Sequence, residues 1–154
     1  MKKPASSLTS TALRLLATRE HSRQELRRKL AARADEGDDV EAVLDRMAET
    51  GLQSDARFAE SYVRSRAGRL GSARIRRELG DRGVTEELAS TALGEVLVED
   101  ELTRARSVWK KKFGQPPVDA KDWARQARFL QSRGFSAELI RKLLKDPVHE
   151  FVEG

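Results

Sequence analysis

The chain has 154 residues, with 38% hydrophobic, 36% charged and 5% aromatic residues. Apolar burial therefore falls to Leu, Val and Ala, which excludes a wide, thick core and suits short helices with much exposed surface. The absence of Cys removes disulfides, thiolate nucleophiles and Cys-ligated zinc. A net charge of +5 favours nucleic acid as a partner without proving it.

No stretch alternates apolar and polar residues with β-branched enrichment over five or more positions, so strands are not expected, and helix punctuation is plentiful. The first helix is read from about Thr9 to Arg19, where Arg14 interrupts the apolar run and excludes a membrane span. Ser22-Arg23-Gln24-Glu25 then forms a capping box that opens a helix carrying Leu26 and Leu30 on one face. Asp35, Asp38 and Asp39 lack the twelve-residue spacing of a calcium loop and read as a solvated linker. Val40, Val43, Leu44 and Met47 mark the next helix, which stops at Gly51, and Phe58, Ala59 and Tyr62 mark another, which stops at Gly68.

The remaining segments repeat earlier ones. Arg82-Gly83-Val84-Thr85 returns as Arg133-Gly134-Phe135-Ser136, and Leu79 returns as Leu130, an offset of 51 residues. Glycine here takes the left-handed position after a helix, the apolar residue packs back, and Thr or Ser caps the next helix. Gly51-Leu52-Gln53-Ser54 uses the same device with one extra residue. Ser22 to Leu30 is echoed by Gly71 to Leu79 at an offset of 49. Three diverged helical repeats follow, of up to three helices each: residues 1–20 as a leading segment and helix, then repeats over 21–68, 69–118 and 119–154, with Gln115-Pro116-Pro117 breaking the chain before the last. Short helices cannot bury their apolar stripes alone, so an all-α, elongated, bent array is expected.

Chemistry is sparse. The two histidines, His21 and His149, have no nearby relay, and no phosphate loop, zinc motif or other metal site is present. No catalytic residue and no cofactor are expected. Trp109 and Phe113, four apart with Ala105 on the same face, and Phe58 with Tyr62, read as core, whereas Trp123 lies near a helix start. The functional signal is charge. Arg64, Arg66, Arg69, Arg74, Arg76 and Arg77 fall within fourteen residues, across a helix end, a glycine joint and a helix start. Lys110, Lys111 and Lys112 form a second patch, and the acidic block of Glu86, Glu87, Glu95 and Glu101 lies between them. The arginine run suits several phosphates without sequence readout, or an acidic protein surface.

Ala12 to Leu30 resembles the opening of the RecX regulatory proteins. Asp55-Ala-Arg-Phe-Ala59 with Val63-Arg64 and Arg66, Gly71 to Leu79, and Arg128 to Phe135 resemble that family in the same order, over roughly residues 10 to 146. Ser72 stands where proline is often expected, and Gln53-Ser54 precede Asp55 where an acidic residue is common. The resemblance implies a fold of tandem three-helix repeats and a cytoplasmic, non-enzymatic modulator of RecA. Such a protein lodges in the groove of the RecA filament and inhibits its ATPase, strand-exchange and coprotease activities, which places it in recombination, DNA repair and the SOS response. The resemblance also implies weak binding to single-stranded and duplex DNA. A monomer without membrane contact is expected. The alternative from another class is a helix-turn-helix regulator acting directly on duplex DNA, against which no helix carries the Asn, Gln and Arg cluster of base readout.

Overall fold

The computed structural model describes residues 5–97 and 99–145. Among them are nine helices and no strand: α1 (Ala5–Thr18), α2 (Arg23–Ala31), α3 (Val40–Glu49), α4 (Asp55–Arg66), α5 (Ser72–Asp81), α6 (Glu86–Val96), α7 (Glu101–Lys112), α8 (Ala120–Ser132) and α9 (Ala137–Leu144). Two units emerge. The first takes the residues up to Tyr62 together with Leu79–Ala92, and the second takes Val63–Glu78 together with the residues from Leu93 on. Helices α4 and α5 each contribute to both.

In the first unit, α1, α2 and α3 pack around Leu8, Ala12, Leu26, Leu30, Leu44 and Met47, all buried. In the second, α7, α8 and α9 enclose Ala105, Val108, Leu130, Phe135, Ile140 and Leu144. Each core is small; the first is aliphatic, and the second adds Phe135 with Trp109, Trp123 and Phe129 packed against it.

The glycine turns are as the repeat implies. Val84 N–H donates to the Leu79 carbonyl at 3.0 Å and Gly83 N–H to Gly80 at 3.0 Å. Phe135 N–H and Gly134 N–H donate to Leu130 and Gln131 in the same pattern, at 3.2 and 3.0 Å. These are paired Schellman bonds, after which the Thr85 and Ser136 hydroxyls accept from Leu88 and Leu139 N–H. At Gly51 the longer bond runs from Gln53 N–H to the Met47 carbonyl, the extra residue seen in the sequence.

Two expectations need adjustment. Helix α1 begins at Ala5 rather than near Thr9. Trp109 and Phe113 are half-buried rather than core. Trp109 lies against the second unit's core with its indole N–H donating to Gln126 Oε1 at 2.7 Å, a polar handle that holds the ring at the margin. Phe113 stacks edge-on against Phe129, with centroids 5.4 Å apart. Phe58 and Tyr62 are buried as expected, and half-buried Trp123 donates to the Lys145 carbonyl at 2.7 Å.

Candidate nucleic-acid and protein interface

Which cations are available for a partner depends on which ones the fold consumes. The first unit contains a joint that starts at the N-terminus of α2, where Ser22 and Glu25 form the full capping box. The Ser22 hydroxyl also donates to the Arg82 carbonyl in the glycine turn after α5, at 2.8 Å. Asp55, the first residue of α4, accepts Arg23 N–H at 2.8 Å. Buried Gln53 completes the joint, donating to Asp55 at 3.0 Å and to the His21 carbonyl at 3.3 Å.

The second unit repeats this construction with different residues. Gly71 N–H donates to the Arg133 carbonyl in the glycine turn after α8, at 2.6 Å. Glu101, the first residue of α7, accepts Ser72 N–H at 2.8 Å. Arg104, 6% exposed, takes the role of Gln53, bonding Glu101 at 2.5 Å and donating to the Leu70 and Ala67 carbonyls. The approach is close enough that a Cβ on Gly71 would lie 2.5 Å from the Gly134 carbonyl carbon and 2.9 Å from Phe135 Cδ1.

Arg74 belongs to this joint. It pairs with Glu78 at 2.9 Å and donates to the Ser132 carbonyl at 2.8 Å. Arg76 is half-buried and has a partner, as has Arg66, which also donates to Ser65 Oγ at 3.2 Å. Arg64, Arg69 and Arg77 are exposed and carry no hydrogen bond or ion pair within the described residues. Lys110, Lys111 and Lys112 are exposed in the last turn of α7, where cations also complement the helix dipole. The two basic runs, distant in sequence, meet. Arg69, Lys111 and Lys112 line one open depression together with Arg133, Phe129 and Val108, and none of its lining residues is acidic. Nothing in the sequence marks Arg133 as a member of this surface, because it sits in a glycine turn and reads as a helix end.

Among the described residues no group of three or more His, Asp or Glu could hold a metal, and no helix is long and apolar enough to cross a membrane. His21 is buried. Its Nδ1 lies 3.0 Å from the Arg19 carbonyl and its Nε2 lies 2.9 Å from Lys29 Nζ. Because that carbonyl only accepts and the ammonium only donates, the ring is neutral with its proton on Nδ1. Burial pushes its pKa below the ordinary 6.5 and the charges of Arg19 and Lys29 push the same way, opposed by the Arg19 carbonyl and Glu25. His149 lies outside the described residues.

Taken together, the fold and this surface define an all-α protein of tandem three-helix domains whose second unit gathers exposed cations into one depression. Family models for the first, second and third three-helix domains of RecX match residues 10–47, 54–93 and 99–144 in succession. The chain is 49% identical over 148 residues to the regulatory protein RecX of Leptothrix cholodnii, covering 96% of this chain and 94% of the relative. It is 47% identical to that of Herminiimonas arsenicoxydans, covering 94% and 95%. The crystal structure of RecX from Lactobacillus salivarius shares the fold, with a TM-score of 0.75 at 20% identity, covering 92% of this chain and 94% of that one. The chain belongs to the RecX family of regulatory proteins.

Proposed function

We propose that the chain is a non-enzymatic regulator of the RecA recombinase that binds the groove of its filament on DNA. In this reading it inhibits the ATPase, strand-exchange and coprotease activities, and so acts in the cytoplasm on recombination, DNA repair and the SOS response. The observation that carries this reading is the unbroken succession of three RecX domains over residues 10–144, at close to half identity with relatives named as regulatory proteins. Single-stranded and duplex DNA are weak, sequence-tolerant partners through the unpaired cations Arg64, Arg69 and Arg77 and the Lys110 to Lys112 turn. Exposed Glu86, Glu87 and Glu95 would meet basic surfaces of the filament and set orientation more than affinity.

The test is cosedimentation with preformed RecA filaments, alongside RecA's DNA-dependent ATPase and strand exchange at substoichiometric ratios. Filament capture with both rates lowered is the expected result. Unchanged rates, with direct binding to duplex DNA, would refute it.

A further inference from the structure

We propose that the depression lined by Arg69, Lys111, Lys112 and Arg133 in the second unit is a preorganised site for a chain of contiguous phosphates, and that Phe129 organises it without touching the ligand. The inference rests on the reading that the cations of this unit meet phosphates, and it adds where and how.

Phe129 is half-buried on α8, edge-on to Phe113. Two cations lie over its ring, Lys112 Nζ at 5.5 Å and the Arg133 guanidinium at 5.0 Å from the centroid. A ring attended by two cations is not an open platform for a stacked base. It is a mount that holds two long side chains in place, lowering the rotamer entropy they lose when an anion arrives. Arg133 is fixed further, since it caps α8 and its carbonyl accepts Gly71 N–H.

Around these two, Arg69 and Lys111 add charges without a partner among the described residues. Four cations with no carboxylate among the lining residues leave positive charge uncompensated, and a void of about 360 Å³ exceeds what one phosphate fills. Val108 is apolar and the ring is covered by its two cations, so neither reads a base, and the recognised chemistry is the phosphate chain. Both a single strand of nucleic acid and a free polyphosphate present it.

The experiment is fluorescence-anisotropy titration of the full-length protein with a labelled oligothymidylate at several salt concentrations, with inorganic triphosphate and ATP as competitors. Lys112→Gln/Arg133→Gln should weaken binding about tenfold or more and flatten the salt dependence by roughly 0.7 log units per decade for each phosphate no longer neutralised. Phe129→Leu should weaken binding severalfold while net charge and salt slope stay near wild type, the signature of lost organisation rather than lost charge. Arg141→Gln, an exposed cation on α9, is the control for charge alone.

Displacement of the oligonucleotide by triphosphate or ATP at micromolar concentrations identifies free polyphosphate as a ligand, and resistance to both identifies the strand; either supports the site. If Lys112→Gln/Arg133→Gln binds like Arg141→Gln, the site is refuted. That outcome is independent of Phe129→Leu, whose folding is checked by its thermal melt. A wild-type protein that binds none of the three probes would instead overturn the underlying phosphate reading.

Discussion

Gly51 and Gly134 share a left-handed backbone, with φ of 78° and 97°, but not their surroundings. A Cβ on Gly51 meets nothing within 4 Å, whereas one on Gly134 would collide with Arg74 Cβ and lie 2.7 Å from its backbone N. Gly51→Ala should therefore cost only the backbone term, about 1–2 kcal/mol, and Gly134→Ala distinctly more, because the joint must open. Urea denaturation of the two variants decides it; equal losses would mean the close approach carries no energy. His21 makes a second residue-scale prediction. Its folded pKa is lowered, so the unfolded chain binds the proton more tightly, and its contribution is complete above 6.5 and lost as pH falls below that value. Stability should drop between pH 7 and pH 5 with a slope of at most about 1.4 kcal/mol per pH unit from this group, and His21→Asn should flatten that part of the profile.

At the scale of elements, the capping acids matter most. Glu101 serves Ser72 N–H, the Ser72 hydroxyl and buried Arg104 at once. Its side chain is 28% exposed, so solvent offsets part of the loss, and Glu101→Ala should cost about 2–3 kcal/mol, mainly by stranding Arg104. Restoring balance with Arg104→Met in the same chain should recover part of it; a strictly additive double-mutant cycle would contradict the coupling. These acids also mark the boundary of what is legible in the sequence. The glycine turns, the Ser22 capping box and the three-fold repetition of helices are readable because their bonds close within six residues. The joints are not, because Asp55 and Glu101 act on residues 32 and 29 positions away. Glu101 sits in an acidic block that looks like a solvated face. Arg74 is inseparable from its neighbours for the same reason: nothing local distinguishes an arginine bonded to the Ser132 carbonyl from one facing solvent.

On the scale of the whole molecule, the interleaving of α4 and α5 between units predicts how a shortened chain behaves. A chain ending after Val96 loses Glu101, Arg104 and the Arg133 carbonyl, the partners of Ser72, Leu70 and Gly71. Hydrogen exchange should then show lost protection across residues 67–75, while α2 and α3 keep theirs, since their partners lie within the first unit. Uniform loss along the truncated chain would indicate that the two units fold only together. The same truncation should weaken RecA inhibition sharply if the chain lies in the filament groove as proposed, because the shortened chain spans less of it.

The joints also point in one direction along the chain. The Ser22–Glu25 box closes locally, as the α8 cap does through Asp119 and Asp122, but the joint at the N-terminus of α2 waits for Arg82, sixty residues further on. On a ribosome moving at 5 to 20 residues per second, the Ser22–Arg82 bond cannot form until roughly 3 to 12 s after Ser22 is made. Both local caps close as soon as their own first turns have left the tunnel. The polypeptide is thus locked from behind, each earlier segment secured by the arrival of a later one, and the interval of greatest vulnerability to proteases belongs to the residues synthesised first.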